Sequence, residues 1–422
     1  MAKKPQKRPW VVFAAILLAM IFGTLVGKEG GVFGITFYAI FDVIGIIFLN
    51  ALTLVVVPLV SSSIISGIAK MGGDGAFGRL GAKMFTFYMG TSLIAILTGL
   101  FFVNVIGPGH SFNLSLAQET GAAPENLLSH DGGTLVTVLV SVIPSNILKA
   151  LSSGEMLGLI FFSLIFGYAL TKIESSPASI VTGFFQGIFQ TMIQFTHIIM
   201  KFLPLGVFAL VSKVFMGKGI QSLEQVGLFT LTTLLGLATF MFVALPLLLK
   251  FVAKVKPIRH FKAMGPALVT AFSTSSSSAT LPITIDCVEK RAGVSNRICS
   301  MVVPLGTSIN MSGSALYECV AALFIAQAYG IEISITTQFL VVLMSLITSI
   351  GVAGIPSASL VAILVILKVI GLPAEGIGLF IAVDRLLDMC RTTVNVFSDS
   401  CCAILVARSE GEKNVLASET YE

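Results

Sequence analysis

Six apolar stretches, near residues 11–28, 40–69, 82–106, 156–173, 178–212 and 223–253, fill most of the first 255 positions and decide what this chain can become. About 20 apolar residues cross a bilayer upright, so the stretches near 30 residues must tilt or extend beyond it. These spans therefore read as membrane helices that carry few charges and form a framework. Composition agrees: 55% of residues are hydrophobic and 11% charged, against about 25% charged in soluble domains. A mean hydropathy of +0.96 excludes an ordinary soluble fold. A weaker amphipathic piece occupies 135–152.

Basic residues mark one side of the membrane. Lys3, Lys4, Lys7 and Arg8 precede the first apolar run, Lys70, Arg79 and Lys83 flank the second connection, and Lys250, Lys254, Lys256, Arg259 and Lys262 crowd another. The 107–134 connection has no Lys or Arg, only Glu119, Glu125, Asp131, His110 and His130. The positive-inside rule therefore predicts cytoplasmic termini and an outward 107–134 loop in a multi-pass protein of the cell inner (plasma) membrane. Without aromatic interleaving or a soluble domain, the basic stripe reads as topogenic and not as a nucleic-acid surface. The first run resembles a signal peptide in layout, but no small-x-small cleavage site follows it, so it is expected to remain as a helix. The six cysteines, at 287, 299, 319, 390, 401 and 402, form no CxxC pair and read as small apolar core residues. Asn113-Leu114-Ser115 fits the glycosylation sequon and is taken as incidental.

After the basic cluster the pattern changes. Residues 258–290 contain two short apolar arms around Ser273 to Ser278, and 336–372 two more around Gly351 to Ser357. Neither arm spans alone, so each segment is expected to enter, turn at mid-depth and leave on the same side. Each hairpin precedes a longer helix with a polar centre, 295–328 with Asn310 and 376–407 with Asn395. Two such units in succession suggest an inverted repeat around a midplane site. Tight loops outside the membrane are the plainer alternative. In the first long helix, Gly306, Asn310, Ser312 and Gly313 suggest local unwinding that frees carbonyl ligands, although small residues also permit close helix packing. Met311 is odd there, because a thioether is a poor ligand for a hard cation.

The run Asp384 to Asp399, DRLLDMCRTTVNVFSD, places five charged residues between apolar flanks. At 100° per residue, Asp384, Asp388, Arg391, Thr392, Asn395 and Asp399 fall in an arc of about 100°. Each ionisable group at membrane depth costs roughly 2.5–3.5 kcal/mol even on lenient insertion scales, so such a face is expected to line a polar cavity. A guanidinium beside carboxylates and an amide could hold a zwitterionic, acidic solute together with a metal cation. Arg385, at the rim, is expected to pair with an acidic neighbour or reach the interface.

Four ordered motifs, SSSSATLP, GTSINMSGSALYE, GVAGIP and DxxxDxxRTxxNVxxD, resemble those of the glutamate transporter family. That family comprises the dicarboxylate and amino acid:cation symporters of prokaryotes and the excitatory amino acid transporters of animals. The resemblance is strong over 258–410 and extends in layout to the rest, including FYMGTS at 87–92. It implies an all-α multispanning membrane protein with eight transmembrane helices and two re-entrant helical hairpins in inverted repeats. It also implies a homotrimer whose scaffold (1–70 and 135–215) guides a mobile transport domain (71–134 and 216–422), elevator-fashion.

The activity so implied is import of aspartate or glutamate with sodium ions, with proton coupling as a further expectation and no organic cofactor. Arg391 would clamp the substrate side-chain carboxylate and Asp388 its ammonium. Thr392 and Asn395 would take the α-carboxylate and amino groups, with Ser314 beside them and the hairpin tips contributing Ser276, Ser277 and Ile355. One sodium site would use Gly306, Asn310, Asn395 and Asp399, and a second Ser308, Ser349, Ile350 and Val352 with the Met311 sulfur nearby. A third would use Tyr88, Thr91, Ser92 and Asn310, but this chain has Ser312 where the family has an aspartate, which removes a full charge from a hard-cation site. Glu318 matches the position that animal carriers use for the proton, and could instead be a neutral packed acid. A dicarboxylate carrier conflicts with Asp388, and a neutral amino acid carrier with Arg391. An ion channel conflicts with a central arginine, and a serine hydrolase with scattered histidines at 110, 130, 197 and 260.

Overall fold

The computed structural model describes residues 8–32, 34–71, 75–110, 143–153, 156–218, 221–331, 333–351 and 359–416, and these are almost wholly helical. The first group of helices comprises α1 (Arg8–Val26), α2 (Phe37–Met71), α3 (Gly75–Ile106), α4 (Ile147–Ser153), α5 (Met156–Leu170), α6 (Ser175–Ile199) and α7 (Leu203–Lys218). The second comprises α8 (Gln221–Thr239), α9 (Leu245–Phe251), α10 (Pro257–Thr274), α11 (Ser277–Asp286), α12 (Asn296–Ile309), α13 (Ser312–Ala328), α14 (Ile335–Gly351), α15 (Ser359–Val369) and α16 (Ile381–Ser409). One departure from the all-α expectation is a small hairpin, Gly31–Val32 paired antiparallel with Ile35–Thr36. Gly34 turns it with φ +80, a value that only glycine adopts freely.

Among the described residues, five helical stretches are long and apolar enough to cross a membrane: Phe37–Ala69, Arg79–Ile106, Ser175–Gly217, Val226–Phe251 and Asn296–Ala328. Shorter apolar helices are Ala14–Val26, Gly158–Leu170, Ile335–Ile350 and Ser359–Val369. The 29-residue α16 has the length, but with six charged residues among its polar ones it is not in this set. A turn of π-helix, Phe240–Ala244, joins α8 to α9 just before Pro246, whose missing N–H cannot continue an α ladder. Large apolar side chains stand exposed along the outer helices, among them Leu17, Ile21, Ile47, Leu54, Phe101, Phe184 and Phe242. A soluble protein would not tolerate this much, whereas lipid would cover it.

α1 packs on α7, and α2 packs on α5, α6 and α7. Elsewhere α13 packs against α3, α8, α14, α15 and α16, while α16 also meets α10, α11 and α12. α13 is the central post: every residue from Ser312 to Ala328 except Gln327 is buried. A helix apolar all round belongs inside, and Phe229, Phe324 and Phe380 crowd Tyr317 on it with ring centroids 4.6–6.2 Å apart.

The two expected hairpins have helical arms that pack against each other, α10 on α11 and α14 on α15. The first turns sharply at Ser275, whose backbone is left-handed (φ 50), and Ser276 caps α11 by accepting from the Ala279 N–H. The tip of the second, including Val352 and Ile355, lies outside the described residues. The expected unwinding is present: α12 stops at Ile309 and α13 starts at Ser312, with Asn310 (φ −101, ψ 64) and Met311 (φ −90, ψ 51) outside the helical region.

Candidate binding site at the broken helix

All six arc residues of α16 are buried, Arg391 completely. The arc faces α13 and the break between α12 and α13, so the charge-bearing face predicted from helical period does turn inward. Arg391 donates from Nη2 to Asp384 Oδ1 at 3.1 Å and to Asp388 Oδ1 at 2.9 Å. Its Nε and Nη1 are buried and have no partner among the described residues. Arg385 pairs with Asp388 Oδ2 at 3.5 Å, one of the two outcomes anticipated for it.

Tyr317, which no local pattern marks as a site residue, fixes this arginine. Its ring lies under the guanidinium, 3.9 Å from Cζ to the centroid, and its hydroxyl donates to Asp384 Oδ1 at 3.0 Å. One residue thus holds the cation by its π face and orients the carboxylate that pairs with it. Two arginines face two aspartates, so the cluster is balanced in formal charge while leaving two guanidinium donors uncommitted.

Asn395, one turn further on, bonds the broken helix. Its Oδ1 accepts from the N–H groups of Gly313 (2.7 Å) and Ser314 (3.3 Å), the first donors of α13. Its Nδ2 reaches Ser314 Oγ at 3.1 Å and Met311 Sδ at 3.4 Å. The side chain therefore satisfies orphan donors that the interruption creates. Thr392 is buried beside it.

Deeper along α16, Asp399 Oδ1 accepts from Asn310 Nδ2 at 2.9 Å. The other side of the Asn310 amide is an acceptor for three hydroxyls: Ser312 at 2.9 Å, Thr91 at 3.1 Å and Ser92 at 3.5 Å. Ser398 Oγ joins Ser312 at 3.1 Å, and Cys402 Sγ lies 3.6 Å from Thr91 Oγ1. Cys402 is therefore not the purely apolar residue expected; its sulfur edges a polar knot. Tyr88 contributes its carbonyl to Thr91 at 3.1 Å, while its own hydroxyl donates to Val302 O at 2.5 Å. By helical period Cys402, five whole turns after Asp384, falls inside the arc, and Ser398 lies about 20° outside it.

Of the other expected ligands, Gly306 lies directly against Asp399, Ile350 and Ser349 are buried near the end of α14, and Ser308 is half-buried. Ser349 turns its hydroxyl to Leu346 O at 2.8 Å. Ser276 and Ser277 sit at the start of α11, where the neighbouring Ser275 Oγ is buried without a partner among the described residues. Glu318 is fully buried, its Oε2 accepting from Thr348 Oγ1 at 2.8 Å. Among the described residues no three His, Cys, Asp or Glu side chains cluster as a metal site. A cation here would instead meet hydroxyl, amide and carbonyl oxygens with single carboxylates, the donor set of a hard, weakly held ion.

A membrane protein built around a buried ionic cluster and an interrupted helix belongs to the class of solute carriers. The chain belongs to the sodium:dicarboxylate symporter family, whose profile matches residues 12–409. It is 35% identical over 419 residues to a proton/sodium-glutamate symport protein of Bacillus caldotenax, covering 98% of this chain and 96% of that one. It is 32% identical over 418 residues to the proton/glutamate-aspartate symporter of Escherichia coli K12, covering 98% and 95%. Excitatory amino acid transporter 3 of Mus musculus is 34% identical over 434 residues, covering 92% and 82%.

Proposed function

We propose that this protein is a secondary-active symporter that carries aspartate or glutamate together with sodium ions. The observation that carries the reading is Arg391, wholly buried with Nε and Nη1 without a partner among the described residues, beside the carboxylates of Asp388 and Asp384. A guanidinium fork suits a carboxylate in bidentate contact, and Asp388 suits an ammonium. A substrate carrying both groups and a second carboxylate is an acidic amino acid. A C4-dicarboxylate would meet Asp388 as a like charge, and a neutral amino acid would leave the buried guanidinium donors unmatched. The names of the relatives, which include glutamate, aspartate, sodium and proton, support the same substrate and ions.

Thr392, Asn395, Ser314 and the tips at Ser276, Ser277 and Ile355 complete the substrate site in this reading. Gly306, Asn310, Asn395 and Asp399 hold one sodium ion, and Ser308, Met311, Ser349, Ile350 and Val352 hold another. The Tyr88, Thr91, Ser92 and Asn310 site is weakened by Ser312. Glu318 is the proton carrier, a role favoured by its complete burial.

The two packing groups, α1, α2, α5, α6 and α7 against the helices around α13 and α16, support a scaffold and a transport domain that move past each other. The hairpins then re-enter the membrane, and the basic connections lie on the cytoplasmic side with both termini. Gly187, Gln190, Thr191 and Gln194 line a groove on the outer face of α6. Amides on the outside of a membrane-length helix favour coverage by further copies over lipid, in keeping with a homotrimer.

Purified protein in liposomes, given labelled aspartate with and without inward sodium and proton gradients, tests the reading. Concentrative uptake is expected only with the sodium gradient, enhanced by the proton gradient. Absence of concentrative uptake under every gradient overturns it.

A further inference from the structure

The segment after α16 makes more specific contacts than a connecting tail requires, and beyond Glu410, which pairs with Lys83 and Arg79 of α3, they converge on the base of the α10–α11 hairpin. On the incoming side, Arg408 Nε donates to Ala253 O at 2.9 Å, and Arg259 Nη1 donates to Leu416 O at 3.0 Å. On the outgoing side, the Leu416 N–H donates to Ala292 O at 2.9 Å, and the Ser295 N–H donates to Glu412 Oε2 at 3.2 Å. Leu416 therefore bonds both feet of the hairpin through its own peptide groups. Arg408 braces the tail internally, donating from Nη1 to Glu412 O at 3.0 Å and Lys413 O at 3.1 Å.

Two further observations show that this conformation is enforced. Leu416 has a left-handed backbone (φ 55), which a non-glycine residue adopts only where its surroundings over-determine it. Val415 and Leu416 are also buried, at 3% and 5% exposure, so the tail is anchored by apolar packing as well as by polar bonds. A few residues inside α10, His260 bonds Ser400 Oγ at 2.9 Å, tying the incoming arm to α16 itself. The second hairpin is held differently: at the base of α14, Gln338 Oε1 accepts from Asn104 Nδ2 at 2.9 Å, a contact with α3 and not with α16 or the tail.

We infer that residues Glu410–Leu416 form a staple that locks both feet of the first hairpin onto α16, with Arg408 as its positioning residue. The hairpin, its tip at Ser275 to Ser277 and the arc of α16 then travel as one body, and the inner side of the site stays sealed while they do so. The consequence for transport rests on the symporter reading; the staple itself does not.

Hydrogen–deuterium exchange on the full-length purified protein separates the two. In Arg408→Met and Arg259→Met, amides of 257–295 are expected to exchange at least tenfold faster than in wild type, while those of α2 and α5 keep their rates. Arg408→Lys should restore part of the protection, and Glu412→Gln, which keeps the side-chain volume, should give a smaller acceleration confined to 292–297. Liposomes preloaded with labelled aspartate should leak several-fold faster with the Arg408→Met protein. Unchanged exchange over 257–295, or acceleration spread equally over α2 and α5, overturns the staple. Wild-type liposomes that fail to accumulate aspartate would overturn the symporter reading and leave the exchange result standing.

Discussion

Gly306 and Asp399 touch so closely that a β-carbon on the glycine would lie 2.7 Å from Oδ1 and 2.8 Å from Cγ of the carboxylate. α12 can pass α16 at this point only because position 306 has no side chain. Asn310 Nδ2 holds the same carboxylate oxygen at 2.9 Å. Gly306→Ala is therefore expected to push Asp399 off its partner and to raise the half-saturating sodium concentration about tenfold, or ~1.4 kcal/mol. Asp399→Asn should raise it at least as much, with a smaller effect on substrate binding at saturating sodium, because the charge acts on the cation and reaches the substrate through linkage. The double variant should be no worse than Asp399→Asn alone, since both act on one contact. Sodium titrations of aspartate uptake check this; an additive double variant would separate the two residues.

Arg391→Cys or Arg391→Thr should abolish binding of acidic substrates, a loss of at least a hundredfold, and should admit serine, alanine or cysteine. The same change leaves Asp384 without its buried counter-ion and Asp388 with Arg385 alone, and breaking a buried pair in this way costs about 3–5 kcal/mol. Calorimetric binding of aspartate and of serine, with thermal unfolding measured beside it, tests both expectations. Undiminished aspartate affinity would remove Arg391 from the site.

Ser312→Asp replaces a hydroxyl that donates to Asn310 Oδ1 with a carboxylate, in a knot already supplied with Thr91 and Ser92. Stronger cation binding and a steeper sodium dependence of uptake are expected. If the charge is left uncompensated it will protonate and destabilise the carrier instead. The sodium Hill coefficient and the reversal potential of uptake, measured for both proteins, distinguish the outcomes. An unchanged ion count would show that the hydroxyl already suffices.

Glu410, just past α16, accepts from Lys83 Nζ at 2.5 Å and lies 3.5 Å from Arg79 Nη2. The Lys83 hydrogen bond, aided by both cations, holds its carboxyl below the ordinary glutamate value of 4.5. A carboxyl depressed on folding contributes stability above its unfolded value, and that contribution fades as pH falls through the folded one. Solvent screens this pair, so the effect is small. Glu410→Gln should lower the melting temperature slightly at pH 7, and the gap to wild type should close as pH falls through the lowered folded value of the carboxyl. A gap that persists at low pH would assign the effect to packing and not to charge.

The arc on α16 was legible because it needs nothing but helical period: six positions on one face of a helix stay together whatever packs against them. The break at Asn310 and Met311 was legible for a similar reason, since two glycines and several hydroxyls cannot sustain a buried helix unaided. What escaped depends on distant packing. Tyr317 meets Asp384 across 67 residues, and Arg408 meets Ala253 across 155, and neither carries a local pattern that names its partner. Cys402 is buried as its residue type suggests, but it shares the angle of Asp384 on the helix, and Asn310 and Thr91 approach its sulfur. The small strand pair at 31–36 was missed because two-residue strands have too short a period to detect.

The interruption between α12 and α13 has an electrical consequence. A helix carries roughly half a negative charge at its C-terminus and half a positive charge at its N-terminus. The end of α12 at Ile309 and the start of α13 at Ser312 are separated by only two residues, so opposite poles stand side by side at the middle of the fold. The negative pole faces the surroundings of Asp399, where a cation would sit, and the positive pole faces Asn395 and the guanidinium arc, where a carboxylate would sit. A single gap in one helix thus makes a fixed dipole that draws anion and cation to adjacent places, and each ion, once there, deepens the potential well of the other.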